Sequence, residues 1–325
     1  MPGFTTHYIF GMKAYNDMPF TPLNHAIAKY PWLYQLGLQG PDMFFYNIPI
    51  LRHRDYRNVG SYMHEHKVNA FFECCLRRIG TIRSRQQQEE AISYLAGFIN
   101  HYIADSICHP YVYGRIGYPV DAPTSMHHGM HAHLENELDA ILLWKYKKKK
   151  PSEFNQTATI CLNGQEIQFI SHFLASCINE TYYPITYRNN FQVTPAMVHR
   201  SIWALRFGCR TLSDKNGKKK FGIAQVESIF VNHPVASAKM VTDSVTDYRS
   251  SCNLNHEAWG NPWDPTRVST ASFVDLFHET LDKCSRVYAL LNSAVTDNVP
   301  LDKQDLSPLL TELGNESYHI GLPVD

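Results

Sequence analysis

The segment HYIADSICHP places His101, Asp105 and His109 at positions i, i+4 and i+8. On a helix, four residues turn through about 400°, so the three side chains share one face. That face carries two imidazoles and a carboxylate within an otherwise apolar stretch, AISYLAGFINHYIADSICHPYVYG. Polar groups inside an apolar helix are costly unless they are paired. Core packing gives no reason for three in succession, whereas a divalent metal takes neutral imidazoles and carboxylates as ligands. Metal ligation is therefore the chemistry expected here.

A second cluster lies in MHHGMHAHLENELD. His131 and Glu135 form one i, i+4 pair, and His133 and Glu137 form another. Only one pair can face the first motif from a helix, and spacing alone leaves both open. His127 and His128 read as loop or supporting residues. Upstream, Gly40-Pro41-Asp42 puts a carboxylate in a turn, GSYMHEHKV offers His64 and His66, and His7 sits in FTTHYIFG. Taken singly, each of these is more often structural than functional.

The ordered set GPD, MHE, HxxxDxxxHP and HxxxENxxD resembles the zinc-dependent phospholipase C family, which is related to single-strand nucleases with a trinuclear zinc site. The resemblance covers about residues 3–140, and NHEAWGNPWDP is similar to a late segment of bacterial relatives. It implies that His131 and Glu135 are the second pair. It further implies that Asp42, His64, His101 and Asp105 hold one zinc, and His109, His131 and Glu135 a second. Asp105 would bridge to a third, completed by His7 and the N-terminal backbone. The chain departs from the secreted enzymes in beginning Met1-Pro2, where they expose a tryptophan, and in a shorter spacing from Asp105 to His109. Two or three zinc ions are the implied cofactor.

These residues need helices to position them. Apolar periodicity predicts helices over 58–80, 87–109, 125–146 and 269–293, with Pro110 disfavouring helix from His109 onward. Thr194-Pro195 predicts a capped start for a helix running to about Cys209. Asn163-Gly164, between short β-prone runs in TATICLNGQEIQF, predicts a small hairpin. The expected fold is an all-α multi-helix bundle of the phospholipase C type with a helical C-terminal extension. Residues 1–150 are the expected metal-binding helical core, and 151–325 a helical half packed on it.

Composition narrows the function. The chain has 325 residues, with 30 Lys+Arg against 30 Asp+Glu, so no global field draws in nucleic acid or an anionic membrane. At 44% hydrophobic and 18% charged it can build a core, which excludes disorder. The eight cysteines are scattered, reading as free thiols of a reducing compartment. With no basic and apolar leader in MPGFTTHYIFGMKAYND and no apolar run long enough to span a bilayer, a cytoplasmic location is expected. The basic runs KYKKKK (145–150) and KNGKKK (215–220) read as solvated loops or helix ends.

The expected activity is hydrolysis of a phosphodiester by a metal-activated water, with Asp42 as ligand and as the group orienting or deprotonating that water. Phospholipid headgroups are the leading substrate class, and a soluble phosphoester is the other. The aromatic run Met43, Phe44, Phe45 and Tyr46 reads mainly as core. Competing expectations are a nuclease or nucleotidase on the same metals, or a metal-stabilised binding protein without catalysis. A zincin protease is excluded for lack of HExxH.

Overall fold

A computed structural model describes residues 3–46, 59–188, 192–212, 214, 217–230, 237, 240–243, 245 and 247–324. It is all-α, with one small two-stranded sheet among the described residues. The helices are α1 (Phe4–Asp17), α2 (Pro22–Lys29), α3 (Pro31–Gly37), α4 (Val59–Glu65), α5 (Val68–Thr81), α6 (Arg85–Arg115) and α7 (Ser125–Lys147). After them come α8 (Gly164–Arg188), α9 (Pro195–Leu212), α10 (Lys218–Phe230), α11 (Tyr248–Ser251), α12 (Phe273–Thr296) and α13 (Ser307–Leu313). Strands β1 (Trp259–Asn261) and β2 (Asp264–Ser269) pair antiparallel before α12.

Helix α6 is the axis. It starts where the Ser84 side chain accepts from the Gln87 amide, and from Glu90 to Val112 almost every residue is buried. A helix apolar around its circumference must be surrounded, and α2, α3, α12 and β1 pack against this one. One hydrophobic cluster joins Tyr34, Phe72, Phe98 and Tyr102 to Ile178, Cys284 and Tyr318, so it draws on both sides of residue 150. The second joins Phe10, Tyr111 and Leu142 to Phe277. All eight cysteines are free thiols. No helix among the described residues is long and apolar enough to cross a membrane.

Three elements differ from the sequence expectation. The helix expected over 58–80 is two helices, α4 and α5, separated at Lys67, whose φ of 51° is left-handed and cannot continue a helix. Asn58 and the rest of 47–58 lie outside the described residues. Helix α6 runs through Pro110 to Arg115. Proline removes the donor that the Ser106 carbonyl would receive, and Gly321 of the C-terminal segment packs against that carbonyl and the proline ring instead. The hairpin expected at Asn163-Gly164 is absent. The Asn163 side chain accepts from the amides of Gln165 and Glu166 while Glu166 accepts from the Asn163 amide, which starts α8 as a capping box. The β-hairpin lies later, at 259–269. The 145–150 basic run ends α7 in solvent, with Lys148 as its left-handed cap; Lys215 and Asn216 of the other run lie outside the described residues.

Helices α3 and α6 meet backbone to backbone at Gly37 and Gly97. A Cβ on Gly97 would sit 2.1 Å from the Tyr34 carbonyl oxygen and 3.0 Å from the Gly37 Cα. Neither neighbour is a flexible side chain. On an isolated helix Gly→Ala stabilises by roughly 0.5–1 kcal/mol. At this crossing the sign reverses: Gly97→Ala is expected to destabilise the protein by about 1–3 kcal/mol. Chemical denaturation would show it, and an unchanged or raised midpoint would contradict the close crossing.

Candidate metal centre

Helix α6 presents His101, Asp105 and His109 along one buried face, as their spacing requires. Asp42 enters from the 3-10 turn Gly40–Tyr46, His64 from the end of α4, His7 from α1, and His131 with Glu135 from α7. Gly40 allows the turn to approach: its φ is +46°, and a Cβ there would lie 2.2 Å from the His101 ring. Donor atoms of Asp42, His64, His101 and Asp105 lie within 4.8 Å of one another, as do those of His109, His131 and Glu135.

Asp105 stands at the centre. Its Oδ1 is 3.1 Å from His7 Nε2, and its Oδ2 is 3.2 Å from His101 Nε2 and 3.8 Å from His64 Nε2. His64 Nε2 is also 3.3 Å from Asp42 Oδ1. His109 Nε2 faces Glu135 Oε1 at 3.6 Å, and His131 Nε2 contacts the same oxygen at 2.7 Å. His7 stacks on His101 with centroids 4.0 Å apart.

The second nitrogen of each central histidine fixes the polarity of the first. His64 Nδ1 lies 2.6 Å from the Gly60 carbonyl, His101 Nδ1 3.1 Å from that of Leu38, and His109 Nδ1 2.7 Å from that of Tyr318. A carbonyl can only accept, so each Nδ1 carries the proton. In the neutral ring Nε2 is then a bare lone pair. All three Nε2 atoms are buried without a hydrogen bond, together with Asp42 Oδ1 and both Asp105 oxygens. Lone pairs facing carboxylates at 3–4 Å are mutually repulsive unless a cation lies between them. The fit to a divalent metal with nitrogen and oxygen ligands rests on this arrangement.

The electrostatics agree. Burial lowers His64, His101 and His131 below the ordinary imidazole range, which keeps them neutral. Burial raises Asp42, and the neighbouring Asp105 charge adds to that. For Asp105 burial acts in the same direction, but positive charge on the His101 and His7 rings would outweigh it and hold its carboxyl well below the ordinary range; with the imidazoles neutral, a bound cation is what can supply that charge. Glu135 likewise is buried, and a positive charge at His131 is what would hold it low.

Of the two His–Glu pairs on α7, the first faces the centre. His133 is half exposed, and Glu137 turns away to accept from the Ser251 hydroxyl. His127 accepts from the Thr124 amide at the helix start, and His128 is exposed; neither joins the cluster. Met43 and Phe44 are core, whereas Phe45 is less buried and its ring lies 5.3 Å from that of His64. Met1 and Pro2 lie outside the described residues, so the N-terminal backbone expected to complete a third site does too.

Sequence reasoning missed three contributors. Asp139, the last residue of HxxxENxxD, accepts from the amides of Thr5 at 3.1 Å and Thr6 at 2.7 Å. It thereby anchors the start of the helix that carries His7, and burial pushes its carboxyl up to about 6. Its place in the motif was the available signal. Tyr318 supplies the carbonyl that orients His109. His319 stacks on His64 at 4.5 Å with its centroid 5.4 Å from that of His109, and burial holds it well below the ordinary imidazole range. Nothing in sequence spacing links these last two to the cluster. Beside the second group, Tyr113 lies 4.5 Å from His131 and packs against Tyr118 and Trp263, each at 4.8 Å, forming a half-buried aromatic wall.

A family model described as zinc dependent phospholipase C matches residues 6–186. No curated protein and no solved structure matches the chain. The matched segment contains every residue that the two donor groups bring together. With more than half its length matched, the chain belongs to the zinc-dependent phospholipase C family.

Proposed function

We propose that the protein is a zinc-dependent phosphodiester hydrolase of the phospholipase C kind, cleaving a phospholipid headgroup to diacylglycerol and a phosphorylated alcohol. The observation that carries this reading is the pair of adjoining donor groups with bare Nε2 atoms facing carboxylates. Asp42, His64, His101 and Asp105 would hold one ion and His109, His131 and Glu135 a second, with His7 and Asp105 available to a third. Bound zinc would supply Lewis acidity toward the phosphoryl oxygens and acidify a water near neutrality.

The protein's own groups do the rest. Asp42 Oδ1 is buried, has no hydrogen-bond partner and borders the first group. In this reading it orients the attacking water and accepts its proton. The backbone carbonyls at Gly60, Leu38 and Tyr318 keep the imidazoles in one tautomer through the reaction. The wall of Tyr113, Tyr118 and Trp263 offers aromatic faces to a headgroup beside the second group. Those same faces would suit a nucleobase, which is the specific observation in favour of a nuclease on this centre.

Two measurements check the reading. The zinc-loaded protein is expected to turn over a chromogenic phosphocholine ester and leave single-stranded DNA intact, with activity lost to a chelator and restored by zinc. Asp42→Asn is expected to slow turnover about a hundredfold to ten-thousandfold. Cleavage of DNA alone would move the assignment to a nuclease, and a full rate in Asp42→Asn would remove Asp42 as the base.

The pH dependence of zinc uptake follows from the same groups. Raised by burial, the Asp42 carboxyl of the metal-free protein holds a proton at pH values where a free carboxylate is charged. Zinc must expel that proton, so affinity rises with pH. The lowered imidazoles add proton competition only below their ordinary value of about 6.5. Calorimetry in two buffers of different ionisation enthalpy, repeated at falling pH through the mildly acidic range, should show net proton release that grows as the pH is lowered. Identical heats in the two buffers would contradict it.

A further inference from the structure

The C-terminal segment 315–324, far beyond the family-matched residues, runs along α6 beside the metal centre. Tyr102 donates to Glu316 at 2.7 Å and its hydroxyl accepts from the Glu316 amide at 2.9 Å. Ser317 donates its hydroxyl to the His64 carbonyl at 3.0 Å, and the Tyr318 amide donates to the same carbonyl at 3.0 Å. The Asn261 side chain of the hairpin donates to the Ile320 carbonyl at 2.7 Å. The segment is therefore held from both sides of the residue between these anchors, His319.

His319 is only half buried, yet its Nδ1 is enclosed and has no hydrogen-bond partner. Its ring lies parallel over His64, a donor of the first group, and beside His109, a donor of the second. It belongs to neither set of mutually close donor atoms. A side chain that flanks both groups without joining either borders the space that a phosphoryl group spanning two ions would occupy. Imidazole offers an N–H to such an oxygen.

We propose that His319 is a substrate-contacting residue that hydrogen-bonds the phosphoryl group over the metal centre. This rests on the phosphoesterase reading given above. The ligand chemistry is a phosphoryl oxygen, whether carried by free phosphate or by a phospholipid.

The test uses the zinc-loaded full chain with His319→Ala and His319→Asn. Metal content is read by elemental mass spectrometry. Binding is read by calorimetry with inorganic phosphate, and by KM and kcat for a short-chain phosphatidylcholine below its micelle concentration. Both variants are expected to keep wild-type metal content, and the alanine variant to lose about tenfold or more in phosphate affinity, in line with the loss of a hydrogen bond to a charged group. The lipid KM should rise alongside, and the asparagine variant, which retains a donor, should lose less. Loss of metal in either variant would overturn the proposal in favour of a ligand role. An unchanged phosphate affinity would also overturn it, as would a weakening confined to the lipid, which would make His319 a headgroup contact. If the zinc-loaded wild type binds neither phosphate nor lipid, the phosphoesterase reading itself falls, and that is seen before any variant is compared.

Discussion

Three backbone carbonyls decide the chemistry of the centre. By accepting hydrogen bonds from Nδ1 of His64, His101 and His109, they leave three unprotonated Nε2 atoms buried against the carboxylates of Asp42, Asp105 and Glu135. Without a cation this arrangement is unfavourable, because buried polar atoms lacking partners keep their full desolvation cost. The rest of the structure can be understood as what holds such an arrangement in place. Helix α6 is gripped by α3 at a glycine crossing, Gly40 lets the Asp42 turn reach His101, and Asp139 fixes the start of the His7 helix.

The same constraint explains why the C-terminal half matters to a centre whose donors all precede residue 136. The Tyr318 carbonyl is one of the three, and the Ser317 and Tyr318 contacts hold the His64 backbone. Gly321 covers the Ser106 carbonyl where Pro110 interrupts the α6 ladder, between two donors of the centre. Trp263 of the hairpin adds the outer face of the aromatic wall. A zinc-dependent phospholipase C family segment is thus completed by residues outside it.

Much of this was legible because it is local. The HxxxDxxxH spacing needs only the helical period to put three groups on one face, and apolar periodicity together with the family resemblance pointed to an all-α fold. The period could not choose between His131–Glu135 and His133–Glu137, since both are i, i+4 pairs; the family resemblance picked the first, and the packing of α7 against α1 and α6 turns that pair to the centre. Asn163-Gly164 misled because the side chain that makes a turn also caps a helix. The break at Lys67 rests on a left-handed lysine, for which the sequence carries no marker. His319 was invisible for a different reason: its relation to His64 is tertiary, across most of the chain, and a lone histidine near a terminus has no spacing to read.

The central claim is that the two donor groups are cation sites. A crystal of the zinc-loaded protein, measured at the zinc absorption edge, tests it most directly. The account predicts anomalous peaks within bonding distance, about 2.0–2.2 Å, of the donor atoms of Asp42, His64, His101 and Asp105 and of His109, His131 and Glu135. Peaks at neither group, or zinc only at His133 and Glu137, would contradict it.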